Sequence, residues 1–146
     1  MSRILQWNLR SLRQRIIPLG LLINSISSDV LCLQETKLED TNFTYNNYNT
    51  YHYINENKKI AAGGTSIFVK RSIPQSEIHL NTNLQAKAVR ITLNKPLTIC
   101  SVYIAPDEKF IKQQLIDLYE QLNTPFIILE DFNAHSPLWD KKLSAI

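Results

Sequence analysis

Residues 30–36 read Val-Leu-Cys-Leu-Gln-Glu-Thr (VLCLQET). A near-continuous apolar run that breaks at once into an amide, a carboxylate and a hydroxyl is the pattern of a strand covered on both faces. Such a strand shows no alternation, because neither face meets water, and its polar end marks where it leaves the core. A second run of the same kind, Pro125 to Leu129 (PFIIL), is followed by Glu130-Asp131-Phe132-Asn133-Ala134-His135.

A helical pattern precedes each of these two runs. Pro18 suits a first helical turn, and Leu19, Leu22, Ile23 and Ile26 recur at i, i+3, i+4 and i+7, which predicts a helix ending near Ser27-Ser28. A second helix is predicted over Asp107 to Leu122, with Phe110, Ile111, Leu115 and Leu118 as its apolar stripe. Asp107 and Glu108 lie near its N-terminus, where the dipole favours anions. Shorter strands are predicted at Arg3 to Asn8 (RILQWN), Tyr51 to Ile54 and Thr65 to Lys70 (TSIFVK), the last after a Gly63-Gly64 turn. Ala86 to Leu93 and Leu97 to Ile104 form a predicted hairpin across Asn94, Lys95 and Pro96. Buried strands, each with a helix before it, predict an α/β fold in which sheets pack together with helices outside.

With 146 residues the chain is long enough for one folding unit over 1–146 with a real core. At 44% hydrophobic and 20% charged it is far from a disordered composition. The net charge of +3 is compatible with a polyanionic partner. Arg3, Arg10, Arg13 and Arg15 fall together, with no acidic residue before Asp29. The plainer reading of that stretch is a solvated basic face. Cys32 and Cys100 each sit in an apolar run, as buried thiols do in a reducing compartment, and no disulfide is expected. Neither a leader nor a membrane-spanning run is read in the chain, so the expected location is nuclear or cytoplasmic, without a membrane partner.

The polar clusters fall at strand ends: Asn8, then Gln34-Glu35-Thr36, then Tyr103, then Glu130 to His135. Strand ends are where α/β folds place their sites. Carboxylates and an amide brought from separate strands are the oxygen donors a hard divalent cation requires. Taken singly, an acid after a strand is more often a turn residue or a helix cap.

In succession, QWN (6–8), LCLQET (31–36), the Gly-Gly turn, ICSVYIAP (99–106) and DFNAH (131–135) with PLW (137–139) resemble the endonuclease/exonuclease/phosphatase superfamily. More narrowly, they are similar to the apurinic-like endonuclease domain of Jockey-type non-LTR retrotransposons. The resemblance implies the four-layer α/β sandwich of the DNase I-like type. It also implies Mg²⁺-dependent hydrolysis of DNA phosphodiesters, with Mn²⁺ as a substitute, and a reverse transcriptase region in the parent element. Carried over by position, Glu35 is the main metal ligand with Asn8 beside it. Asp131 positions or deprotonates the attacking water, Asn133 bonds the phosphate, and Tyr103 places its hydroxyl on a phosphate oxygen. Arg10, Arg13, Arg15 and His135 are the implied DNA contacts. His52 and His79 receive no role, and Trp139 is read as a packing anchor.

Two departures qualify the match. The family's GDFN motif has Glu130 in the glycine position. A Glu forced there into a left-handed backbone costs roughly 1–2 kcal/mol, whereas one on the opposite strand face is harmless. Family domains also continue beyond this motif to a late Asp and a Ser-Asp-His motif, so the expectation is a C-terminally truncated sandwich. On that expectation nicking is weak or absent, and copies self-associate through an exposed sheet edge. Two alternatives stay open: a non-catalytic nucleic-acid-binding remnant of the domain, and a phosphatase of the same superfamily.

Overall fold

The computed structural model describes residues 1–56, 62–105 and 112–131, the last of these, Asp131, by its backbone. In chain order the elements are β1 (Ile4–Asn8), α1 (Ile16–Ile26), β2 (Val30–Gln34), β3 (Tyr48–Tyr53), β4 (Thr65–Lys70), β5 (Gln75–Ile78), β6 (Gln85–Thr92), β7 (Pro96–Tyr103), α2 (Lys112–Glu120) and β8 (Phe126–Asp131). They form two mixed four-stranded sheets, ordered β1-β2-β4-β3 and β5-β6-β7-β8. Each sheet has one parallel pair, β1 with β2 and β7 with β8, and the other pairs are antiparallel.

Side-chain alternation sorts the core into three interfaces, and these define four layers. In β2, Leu31 and Leu33 face α1, joining Leu19, Ile23 and Phe68. Val30 and Cys32 face the other way, meeting Ile67 and Val69 of β4 and Val89, Ile91 and Ile99 of the second sheet. Ala86, Ala88, Cys100 and Val102 then pack against Leu118 and Leu122 on and after α2. The order is therefore helix, sheet, sheet, helix. Every residue of β2 is buried, which is why the sequence VLCLQ carries no polar face. Both cysteines are buried and unpaired, and burial raises both thiols, Cys100 to about 12. Among the described residues no helix is long and apolar enough to cross a membrane.

α1 begins at Ile16, so Pro18 falls in the first turn, where its missing N–H removes no helical bond. Ser27 ends it in a left-handed conformation (φ 54°), its N–H donating to the Ile23 carbonyl at 2.8 Å. Two strand bounds and one whole strand stand out among the differences from the sequence reading. β3 starts at Tyr48, ahead of the predicted Tyr51, because the Tyr48 ring is buried beside Phe68. β8 continues past Leu129 to Asp131, paired to β7 throughout. β5 was not predicted: Gln75-Ser76-Glu77-Ile78 is a half-exposed edge strand with a single apolar residue. For the second helix, Asp107, Glu108, Phe110 and Ile111 lie outside the described residues, and Leu115 and Leu118 pack on the second sheet as the stripe predicts.

The layer between the sheets changes character along its length. Val30 and Cys32 give way to Gln34, Val69 and Ile67 to Thr65, and Ile99 to Ser101. These polar residues bridge the sheets: Gln34 Nε2 donates to Ser101 Oγ at 2.9 Å, and the Ser101 and Thr65 hydroxyls lie 2.6 Å apart. Thr65 Oγ1 in turn donates to the Leu33 carbonyl at 3.0 Å, so the Ser101 hydroxyl donates to Thr65. Gln6 Nε2 adds bonds to Gln34 Oε1 (3.2 Å) and to the Glu130 carbonyl (2.9 Å), tying β1 to β8. Ser101→Ala leaves a buried Gln34 N–H and a Thr65 lone pair unsatisfied. It is expected to lower the unfolding free energy by about 1–3 kcal/mol in urea titrations at unchanged m value. A loss below about 0.5 kcal/mol would show that the bridge is not satisfied as described.

Candidate active site at one rim of the sandwich

Strand register brings the sequence-predicted positions to one rim. Asn8 pairs with Gln34, and Gln34 with Thr65, so β1, β2 and β4 expose their ends together. In the opposite sheet Gln85 pairs with Tyr103, and Tyr103 with Asp131. The Gln6 bond to the Glu130 carbonyl holds the two sets of strand ends at the same end of the sandwich. Asn133, His135 and Trp139 lie outside the described residues.

Asn8 and Glu35 meet directly, with Asn8 Nδ2 donating to Glu35 Oε1 at 3.0 Å. Asn8 Oδ1 accepts the Arg10 backbone N–H at 3.2 Å, which fixes which way the amide points. Both side chains are half-buried at the rim. Tyr103 is 5% exposed, on the neighbouring strand end. Among the described residues no three His, Cys, Asp or Glu side chains come together, and the group bonded to the Glu35 carboxylate is the Asn8 amide. The Glu35 carboxylate is a hard donor that fits Mg²⁺ or Mn²⁺, and the Asn8 oxygen, which already accepts the Arg10 N–H, has a second lone pair that could serve the same ion. Beside them, the buried Thr36 Oγ1 has no hydrogen-bond partner among the described residues.

The backbone here is held away from its relaxed conformations. Among the described residues, four of the six non-glycine residues with positive φ follow β1 or β2: Arg10 (55°), Ser11 (151°), Glu35 (51°) and Lys37 (51°). Each such residue costs on the order of 1–3 kcal/mol and persists only where its surroundings over-determine it. The surroundings are visible. Leu9 N–H donates to the Gln34 carbonyl and Leu12 N–H to the Thr36 carbonyl, each at 3.0 Å, with both leucines buried. Lys37 N–H donates to the Gly63 carbonyl at 2.9 Å. Gly63 and Gly64 have φ of 66° and 86°, and a Cβ on Gly64 would lie 2.8 Å from Thr36 Oγ1.

Arg10, Arg13 and Arg15 are exposed on the loop between β1 and α1. Arg13 is not a free cation, because its guanidinium lies 5.7 Å from the centroid of the Phe43 ring. Phe43 is itself held by the buried His52. Its Nε2–H donates to the Phe43 carbonyl at 2.8 Å, and Nδ1 lies 2.6 Å from Ser66 Oγ. Burial pushes the His52 pKa down, keeping the ring neutral in this tautomer. His79 is exposed and lines a small cleft of ≈ 140 Å³ with Glu77, Lys87 and Tyr53.

Residues 5–146 match the Endonuclease/Exonuclease/phosphatase family. The chain belongs to that family. It is 28% identical over 137 residues to an RNA-directed DNA polymerase from the mobile element jockey of Drosophila funebris, covering 91% of this chain and 15% of the relative. With a probable RNA-directed DNA polymerase from transposon X-element of Drosophila melanogaster it shares 28% identity over 144 residues, 94% of this chain and 16% of the relative. The chain thus spans about a sixth of these relatives' length. Among solved structures it resembles the endonuclease domain of TRAS1, a telomere-specific non-LTR retrotransposon, with TM-score 0.69, 18% identity, and 95% and 62% of the two chains covered. The human Nocturnin catalytic domain gives TM-score 0.68 at 18% identity, covering 92% and 64%. The fold is that of these family members, the DNase I-like sandwich.

Glu130, in the family's glycine position, does not strain the backbone: it lies within β8, outside the residues with positive φ. Its side chain is half-buried, with Oε2 lacking a hydrogen-bond partner among the described residues. Its charge acts on Cys100 and Tyr119, on the α2 side of the sheet. Burial raises its pKa to about 7 from 4.5. Between those values the folded protein holds a proton the unfolded chain has lost, so this group makes stability fall as pH rises from 4.5 to about 7. His52 works in the opposite sense, losing stability as pH drops through its ordinary value of 6.5. Glu130→Gln is therefore expected to melt higher than wild type at pH 8, with the difference vanishing by about pH 4. An equal difference at both pH values contradicts a buried, protonated carboxyl.

Proposed function

We propose that this chain, as part of one domain over 1–146, carries the cation-holding and water-positioning side of a DNA-nicking site, as in the endonuclease of a non-LTR retrotransposon. The observation that carries the reading is the Asn8–Glu35 contact at 3.0 Å, on the rim where Tyr103 and Asp131 end the opposite sheet. Glu35 and Asn8 hold Mg²⁺, or Mn²⁺ in its place. When bound, the ion supplies positive charge against the negative charge that builds on the phosphate oxygens. Asp131 orients the attacking water and accepts its proton. Tyr103 and Asn133 donate to phosphate oxygens, and His135 contacts the DNA. Arg10 and Arg15 neutralise backbone phosphates, while Arg13 presents its charge from the Phe43 ring. The relatives' names support DNA as partner and a reverse transcriptase region in the parent element. Among the described residues β1, β3, β5 and β8 end their sheets, and self-association of copies would run through an exposed edge of this kind.

The expected result is low, divalent-ion-dependent nicking of supercoiled plasmid that disappears in Glu35→Ala, with no release of phosphate from soluble phosphomonoesters. Nicking unchanged in Glu35→Ala would overturn the role given to that carboxylate, and phosphomonoester hydrolysis would move the chain to the phosphatase branch. A second reading is a non-catalytic DNA-binding remnant, in which the exposed Arg10, Arg13 and Arg15 hold backbone phosphates without cleavage. Its mark is salt-sensitive DNA binding without cleavage in any Mg²⁺ or Mn²⁺ concentration. In either case, replacing Arg10, Arg13 and Arg15 by Ala is expected to flatten the slope of log affinity against log salt by about 2–3 on duplex DNA. An unchanged slope removes the basic loop from the interface.

A further inference from the structure

Gln85, the first residue of β6, is 5% exposed, and its side chain meets backbone from the other sheet's connections. Gln85 Oε1 accepts the Gly64 N–H at 2.7 Å. The turn it grips is the one that holds the loop after β2: the Gly63 carbonyl accepts the Lys37 N–H at 2.9 Å, and the Gly64 carbonyl the Thr36 N–H at 3.5 Å. No side chain could intervene, since a Cβ on Gly63 would lie 2.6 Å from Gln85 Oε1 and one on Gly64 2.8 Å from Thr36 Oγ1. The held loop includes Glu35 and Lys37, both at φ 51°, a conformation that non-glycine residues leave when nothing fixes them.

We propose that Gln85 is a positioning residue for Glu35: through the Gly63-Gly64 turn it fixes the left-handed backbone that aims the Glu35 carboxylate at Asn8. The inference rests on the reading of Glu35 as a cation ligand. A buried amide that merely satisfied one N–H would affect stability alone. A positioning amide also sets how well the site holds its ion, as groups supporting metal ligands generally do. The linkage is reciprocal, so an ion held by Glu35 must stabilise the turn.

The test is Mn²⁺ titration followed by the electron paramagnetic resonance of the free aqueous ion, on wild type, Glu35→Ala, Gln85→Met and Gln85→Glu, with near-ultraviolet circular dichroism reporting folding. Gln85→Met keeps the volume and removes the acceptor, whereas Gln85→Glu keeps an acceptor oxygen at the same reach. Wild type is expected to bind Mn²⁺ and Glu35→Ala to lose it. Folded Gln85→Met is expected to bind about tenfold more weakly, and Gln85→Glu to recover most of the loss. If wild type binds no Mn²⁺, or Glu35→Ala binds as well as wild type, the cation-ligand reading fails. If those two behave as expected and folded Gln85→Met binds like wild type, the Gln85 proposal alone is overturned. Should Gln85→Met not fold, amide hydrogen exchange of wild type decides the matter. Mg²⁺ is expected to slow exchange at Gly64 and Lys37, and unchanged rates at both overturn the positioning role.

Discussion

The arrangement depends on a buried polar bridge between two sheets. Gln34, Ser101 and Thr65 occupy inward positions that an aliphatic core would fill with valine or isoleucine, and they spend their hydrogen bonds on one another across the gap. Aliphatic packing between sheets constrains their separation but tolerates sliding, because dispersion contacts are non-directional. Hydrogen bonds to fixed donors and acceptors do not tolerate it, since a shift of an ångström leaves buried groups unpaired at a cost of about 1–3 kcal/mol each. The bridge therefore sets the relative register of β2 and β7, and through Gln6 that of β1 and β8. A site assembled from strand ends of separate sheets requires that register before any chemistry can occur.

The same end of the sandwich stores conformational strain. Arg10, Ser11, Glu35 and Lys37 adopt positive φ where β1 and β2 leave the sheet, and buried Leu9 and Leu12 with the Gly63-Gly64 turn hold them there. Elsewhere among the described residues only Ser27 and Asn47, both in connections, share this geometry without being glycine. Concentrated strain, a polar interior layer and converging strand ends are three separate physical features that coincide at one rim. The proposed cation site lies at their intersection, which gives it structural support independent of the family to which the chain belongs.

How much of this could be read from the sequence follows from the kind of signal each part leaves. β2 was legible because burial on both faces removes every polar residue until Gln34, and α1 because Leu19 and Ile23 repeat at helical spacing. β5 left no trace, since an edge strand of Gln, Ser and Glu reads like a loop. Asn8, Glu35, Tyr103 and Asp131 could be placed at strand ends, but their convergence on one rim required the register between sheets. That register rests on Ser101 and Thr65, hydroxyls inside apolar strands that carry no periodic signal. Gln85 was invisible for a related reason: its partner is a backbone N–H, and backbone partners are not written in side-chain patterns. Glu130 could be flagged from its neighbours, yet whether it strained the chain or was half-buried without strain depended on its strand face, which only the three-dimensional arrangement assigns.

The central claim is that strand ends from both sheets converge on one divalent ion. A crystal soaked in Mn²⁺ and measured at the manganese absorption edge tests it most directly. The account predicts a single anomalous peak at the rim, about 2.0–2.3 Å from a Glu35 carboxylate oxygen, beside Asn8, with the Asp131 carboxylate turned toward the same solvent-filled space. A peak elsewhere, or Glu35 and Asp131 opening into separate regions, would contradict it.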